Sequence, residues 1–289
     1  MTRADKPSSS SRPARRAAPG GPPRGSAREK NKPEPFRKPP LRLMNTTLWE
    51  YPSQHYGGAI QGDKNYLGAT PSWVIWQLLT RYTRAKDLIV DPMCGSGTTL
   101  DVARDLGRRA LGYDLSTAAG RADIFRADAR SLPLEDAKAD FVFVDPPYST
   151  HVEYSDDPRC IGRLDAGGAD NGAAYYQAMR SVIAEINRVL KPGRFMALFV
   201  SDSFQKKRVL GGPFMPIGFE LFSILRERFQ PTDIVCVVRH NASLKRGAWL
   251  KAAEEGNYFL RGFNYLFIMK KPQEAARERR PARDGRPVR

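Results

Sequence analysis

Apolar runs alternate with helix-spaced apolar positions along residues 41–271, the order that builds a sheet flanked by helices. Residues 87–93 (DLIVDPM) are a short apolar run closed by an acid. They predict a buried strand, then a glycine-rich turn and a helix reaching about Leu106. Residues 110–115 (ALGYDL), 124–129 and 140–145 (DFVFVD) predict the second, third and fourth strands. In 173–190, Met179, Val182, Ile183, Ile186 and Leu190 recur at helical spacing, and Lys191-Pro192-Gly193 predicts the stop. A fifth strand is expected at 195–200, a helix at 219–229, and two last strands at 233–238 and 263–269. Two long polar stretches, 149–172 and 239–262, interrupt the pattern. Loops of that length in a compact domain are usually functional or disordered.

Charge changes the picture mainly at the ends. Of the net +16, residues 1–40 contribute +8 and residues 270–289 contribute +5, which leaves +3 for the stretch between. The ends are rich in Pro, Gly, Ser and Arg and cannot bury enough apolar surface to fold alone. The chain therefore reads as a disordered basic tail (1–40), one domain (41–271) and a second basic tail (272–289). The tails serve either as solvated extensions or as sequence-independent attraction to phosphate. Three widely spaced cysteines make neither a disulfide framework nor a zinc site, and no metal is expected. With no run of about 18 apolar residues and no secretory h-region, a cytoplasmic protein without a membrane span is expected. The Arg/Ser-rich start resembles an organelle transit peptide, but its Pro and Gly oppose the amphipathic helix such a peptide needs.

The chemistry concentrates at predicted strand ends. Asp91-Pro92-Met93-Cys94-Gly95-Ser96-Gly97-Thr98-Thr99-Leu100 forms the first turn. Its glycines permit positive φ and close approach of a ligand, and the helix behind it presents unpaired N–H groups. A dinucleotide fingerprint wants Gly where Leu100 stands, and a P-loop wants a Lys that is missing. Asp91 would repel a pyrophosphate but suits a ligand bearing an ammonium and a sulfonium, so the turn reads as a methyl-donor site. Asp114, ending the second strand, can accept from ribose hydroxyls or cap a helix, and Asp128 can accept from an adenine amino group. Three acids at successive strand ends fit a ligand lying across the carboxyl edge of a sheet.

Asp145-Pro146-Pro147-Tyr148 is the most specific motif. An aromatic amino group is a poor nucleophile because its lone pair is delocalised. Asp145 and the Pro146 carbonyl can accept its two N–H groups and turn the nitrogen toward sp³ geometry. The prolines lock φ and hold that carbonyl in place. Tyr148 offers a face for stacking, worth about 1–3 kcal/mol. Such a site takes a base only after it has left the stack.

Segments 68–82 (GATPSWVIWQLLTRY), 91–100, 111–116, 145–148 and 185–202 together resemble the N4-cytosine/N6-adenine DNA methyltransferase family over about residues 66–271. The resemblance implies S-adenosylmethionine as donor and a Rossmann-like, mostly parallel α/β sheet of seven strands with the last reversed. It implies Thr70-Pro71 under the donor's carboxylate end, Asp91, Gly95 and Gly97 at its methionine part, and Asp114 at its ribose. Pro92, Cys94, Thr98 and Leu115 count with these donor-binding turns, and catalysis falls to residues 145–148. DNA is the implied partner, with a cognate restriction enzyme as a further one. Asp145 occurs with adenine and cytosine targets alike, so the base stays open.

The DPMCGSGT turn also resembles RNA guanine-N2 methyltransferases, which usually carry an upstream RNA-binding domain that residues 1–40 cannot form. An alternative of a different class is a catalytically silent nucleic-acid-binding scaffold, against which intact Asp91, Asp114 and DPPY argue. For nucleic-acid contacts the candidates are Lys206 and Lys207 after the fifth strand, and Arg239, Asn241, Lys245 and Arg246 in 239–262, the expected target-recognition loop. Trp49, Tyr51, His55 and Tyr56 are expected to pack at the sheet edge, and 149–172 reads as a lid.

Overall fold

The apolar runs become strands of a single eight-stranded sheet in the computed structural model, which describes residues 38–63, 65–66, 68–116, 120–167, 169–204, 214–240 and 247–273. In chain order the elements are β1 (Leu48–Trp49), α1 (Ser72–Tyr82), β2 (Leu88–Asp91), α2 (Thr98–Asp105), β3 (Arg109–Asp114), β4 (Ile124–Arg126) and β5 (Ala139–Val144). Then come α3 (Ala173–Val189), β6 (Leu190–Val200), β7 (Ser203–Phe204), β8 (Phe214–Met215), α4 (Ile217–Arg226), β9 (Gln230–Val238), α5 (Gly247–Glu255) and β10 (Phe263–Lys270). The sheet order is β1-β9-β10-β6-β5-β2-β3-β4, and β7 pairs separately with β8. β10 is antiparallel to both of its neighbours, while β2, β3, β4, β5 and β6 run parallel. The Rossmann-like sheet with its reversed last strand is therefore present. β1 adds an eighth strand, pairing parallel with β9 at the edge.

Alternation inside each apolar run explains why the runs are nearly continuous. Val90, Val142, Val144, Met196 and Leu198 face a core made with α3 and α4. Their neighbours Ile89, Phe141, Phe143, Ala197 and Phe199 face a second core made with α1 and α2. Both faces are covered, as a parallel sheet requires. The α3 stripe of Met179, Val182, Ile183 and Ile186 is fully buried, each side chain contributing about 1.5–3 kcal/mol. Trp49 and Tyr51 are buried at the sheet edge, and Tyr56 packs on Trp76. No helix among the described residues is long and apolar enough to cross a membrane.

Two expectations need correction. Lys191-Pro192-Gly193 does not separate α3 from a later strand. β6 begins at Leu190, and its register against β5 jumps from Leu190 to Phe195. The extra residues are taken up in a bulge around Gly193, whose φ is 75°. The 239–262 stretch is not all loop, since α5 occupies its middle. Ala252, Ala253, Leu250, Lys251, Glu254 and Glu255 are strong helix formers, and that propensity outweighs the segment's polarity.

Strand order reverses between β2 and β5. The chain runs outward from β2 through β3 to β4, then returns to place β5 on the other side of β2. A crevice opens at the carboxyl ends of strands at such a reversal. Asp91 and the residue after β5, Asp145, stand at that crevice.

Candidate active site

The turn after β2 carries the first half of the site. Gly95 and Gly97 have φ of 50° and 84°, the left-handed region that favours glycine. A β-carbon on Gly95 would lie 2.7 Å from the Tyr66 ring, so this position also requires glycine for space. The Asp91 side chain is buried. One oxygen accepts the Thr99 hydroxyl at 2.6 Å and the other accepts the Met93 N–H at 3.1 Å. Burial pushes its carboxyl up to about 7 against those hydrogen bonds, with Asp145 and Asp114 adding repulsion. Asp114, at the end of β3, accepts N–H groups from Gly95 and Ser116, each at 2.9 Å, and burial raises its carboxyl as well. Asp128 lies two residues beyond β4. Burial opposes its charge, but Arg130, 2.6 Å away, and the Arg130 N–H outweigh that and hold the carboxyl low.

These residues line two adjoining chambers. One, of about 570 Å³, is bounded by Pro92, Asp114, Leu115, Asp128, Asp145 and Pro147 among others. The second, of about 420 Å³, is bounded by Thr70, Asp91, Cys94, Gly95, Thr98 and Asp145 among others. Tyr66 and Tyr154 line both. The Ser96 hydroxyl is buried there with no partner among the described residues. An orphaned hydroxyl and a glycine cradle edged by carboxylates fit a zwitterionic, cationic ligand such as S-adenosylmethionine. Gly97 faces elsewhere, its missing β-carbon being 2.7 Å from the Arg121 guanidinium.

The second half centres on Asp145. The Thr70 hydroxyl donates to one of its oxygens, and the Tyr148 hydroxyl donates to the other at 2.5 Å. Burial pushes the Asp145 carboxyl up to about 7, while Thr70, Tyr148 and the charge of Arg239 pull it down. The Pro147 carbonyl accepts the hydroxyl of Tyr175, a fully buried residue of α3, at 2.7 Å, which ties the motif to the helix beneath it. Pro146 is buried.

A third cavity, of about 1100 Å³, adjoins Tyr148 and is walled by Tyr51, Pro71, Trp73, Phe199, Arg239 and Asn264 among others. Pro71 thus faces this cavity, whereas Thr70 faces the second of the two chambers. The Asp145–Tyr148 pair stands between the cavities, Asp145 facing the chambers and Tyr148 the larger space. Arg239 donates to the Ser201 hydroxyl at 3.2 Å, and the Asn264 Oδ1 is buried without a partner among the described residues. His240 sits 3.4 Å from Glu50. His151, in the 149–172 segment, pairs with the Ser203 hydroxyl at 2.5 Å.

The structure thus brings together residues 91–96, 98, 114–115, 128 and 145–148 from four strand ends, with Thr70 from the loop before α1. Lys206, Lys207, Asn241, Lys245 and Arg246 lie outside the described residues. Sequence reading missed Tyr66, Tyr154, Tyr175 and Asn264. Tyr66 stands four residues before Thr70, close enough to a motif to have been weighed, whereas Asn264 lies in a strand and carries no local signal.

The model of a DNA methylase family, that of the N6 and N4 methyltransferases, matches residues 17–122 and 139–283. No curated protein matches the chain. Solved structures that resemble it include a Thermus thermophilus protein assigned as a DNA modification methylase, 19% identical over 52% of this chain and 54% of its own, with a TM-score of 0.37. A Methanosarcina mazei S-adenosylmethionine-dependent methyltransferase is 16% identical over 68% of this chain and 98% of its own, with a TM-score of 0.44. TrmN from Thermus thermophilus is 17% identical over 71% and 50%, with a TM-score of 0.43.

Proposed function

The chain belongs to the N6/N4 DNA methylase family, and from that premise we propose how its cleft divides the work of methylating an amino group. It is an S-adenosylmethionine-dependent amino-methyltransferase. The donor chambers hold that cofactor through Thr70, Asp91, Pro92, Cys94, Gly95, Thr98, Asp114, Leu115 and Asp128, with the backbone of Gly97 shaping the turn. When bound, the donor supplies an electrophilic methyl on a cationic sulfur. The cavity beside Tyr148 receives the flipped base of DNA, adenine or cytosine, against Tyr51, Trp73 and Tyr148.

Asp145 carries the reading. Its carboxylate lines the two chambers and is held by two hydroxyls in a fixed direction, one of them from Tyr148, which lines the larger cavity. Ionised, it accepts one amino N–H, and the Pro146 carbonyl accepts the other. The nitrogen would then turn its lone pair toward the chambers that would hold the donor, and Asp145 would take the N–H proton that the amine gives up when methylated. Preorganised acceptors of this kind need not reorient during reaction. Basic residues of 1–40 and 272–289, together with Lys245, bind phosphate, and target choice lies mainly in 239–262. A companion restriction enzyme and action in the cytoplasm belong to the same reading.

Replacing Asp145 by Asn tests the division directly. Transfer to DNA should fall by more than about 100-fold, with calorimetric donor affinity within about threefold of wild type. Equal loss of donor affinity would place Asp145 in the wrong half of the site.

A further inference from the structure

Tyr66, Met93, Asp145 and Tyr154 line both donor chambers, and so mark where the chambers meet. The carboxylates around that junction are already engaged. Asp145 accepts the Thr70 and Tyr148 hydroxyls, Asp91 accepts from Thr99 and Met93, and Asp114 accepts from Gly95 and Ser116. Besides them and the Met93 thioether, the junction is walled by two aromatic rings.

The fold makes room for both rings. Tyr66 lies on Gly95, where a β-carbon would come within 2.7 Å of the ring. Tyr154 lies between Gly162 and Gly68, whose missing β-carbons would be 3.0 Å from its ring and 3.3 Å from its hydroxyl. Neither tyrosine belongs to either core of the sheet, and Tyr66 stays 37% exposed, so core packing does not account for their places. Both also border an outer cleft of about 880 Å³, which puts them between the chambers and the surroundings.

S-adenosylmethionine is an amino-acid half and a nucleoside half joined at a cationic sulfur. With the first half on Asp91, Gly95 and Thr98 and the second on Asp114, Leu115 and Asp128, that joint falls where the chambers meet. The face of an aromatic ring attracts a cation, most strongly where water is kept away. We propose that Tyr66 and Tyr154 form the subsite for the donor's sulfonium, their rings holding the positive sulfur at the junction that Asp145 also lines. This rests on the reading of the chambers as the donor site. Its consequence is a preference for the donor over S-adenosylhomocysteine, the demethylated product, whose sulfur is neutral.

The test is calorimetric titration of the full chain with donor and with product, without DNA. It compares wild type with Tyr66→Leu, Tyr66→Phe, Tyr154→Leu and Tyr154→Phe. Each Leu variant should lose about 2- to 30-fold more affinity for the donor than for the product. Each Phe variant keeps the ring and should hold the wild-type ratio of affinities within about twofold. Fluorinated phenylalanines at the same positions keep the shape of the ring but drain its face of negative potential. They should lower donor affinity stepwise with fluorine number and leave product affinity unchanged, a readout that stands even if a Leu variant fails to fold. Equal losses for donor and product would overturn the proposal and make the rings plain walls. Phe variants that lose the preference would overturn it in favour of the hydroxyls. Wild-type protein that binds neither ligand would overturn it together with the donor reading, whereas binding of both at an unchanged ratio in every variant would overturn the subsite alone.

Discussion

Removing the Asp114 carboxylate probes two links at once, because the side chain both holds the turn after β2 and lines the chamber proposed for the donor. In the free protein its oxygens accept the Gly95 and Ser116 N–H groups, each at 2.9 Å. Asp114→Ala leaves both donors without that acceptor in a half-buried turn. Each orphaned group costs about 1–3 kcal/mol, so the folded state should lose about 2–6 kcal/mol. Donor affinity should fall separately. Hydrogen bonds from ribose to a charged group are worth about 1.5–3 kcal/mol, roughly 10- to 150-fold in Kd. Asp114→Asn keeps one carbonyl acceptor, and it should recover a large part of the stability but little of the affinity. Urea unfolding with and without saturating donor, beside calorimetric titration, separates the two effects. A donor Kd within twofold of wild type in Asp114→Ala would refute the ribose assignment. Full stability in Asp114→Ala would refute the claim that this carboxylate holds the turn.

Further outcomes test other parts of the account. Asp91 is held near 7 in the folded protein against an ordinary value of 3.8, so the folded state retains a proton that the unfolded chain releases. Its contribution to stability therefore falls as pH rises from about 4 to about 7, and Asp91→Asn should flatten that slope in urea melts. A smaller loss across this window in Asp91→Asn than in wild type is the signature sought, since Asp145 contributes a loss of its own there. For Asp145, likewise near 7, the ionised form accepts the N–H, so kcat should rise with pH through about 7 and then level off. A profile flat from 6 to 8 would contradict the carboxylate's role. Residues 38–40 belong with the folded domain, Pro39 accepting the hydroxyl of buried Tyr51, so deleting residues 1–37 should leave a cooperatively melting enzyme with the same modified base, weaker DNA binding and a shallower salt dependence. Loss of the cooperative melt would mean that the segment belongs to the folded domain.

Most of the sheet was legible because its signals are local. An apolar run ended by an acid, at residues 91, 114 and 145, marks a strand and its carboxyl end together, whereas the strand order, and with it the reversal that opens the crevice, is set by contacts across the fold. The helix α5 and the edge strand β1 were not legible. α5 sits in a polar segment and rests on the helix propensity of its residues, and β1 is two residues held by pairing with β9. In the site, Asp91, Asp114 and Asp145 were readable from motifs, but their partners were not. Thr99 and Met93 on Asp91, Thr70 and Tyr148 on Asp145, and Tyr175 beneath Pro147 depend on contacts made across the fold. Arg239 shows the limit most clearly. Its residue type suggests a phosphate contact, yet its tether to Ser201 places it at the cavity wall beside Tyr148.

The central claim is that the cleft at the ends of β2 and β5 moves a methyl group onto an exocyclic amino nitrogen of DNA. Its most direct test is to incubate the purified full-length protein with methyl-tritiated S-adenosylmethionine and either genomic DNA or total RNA, digest to nucleosides and identify the labelled product. The account predicts label in DNA, as N6-methyladenine or N4-methylcytosine, and none above background with Asp145→Asn. Label confined to RNA guanine, or no transfer by wild-type protein that binds the donor, would contradict it.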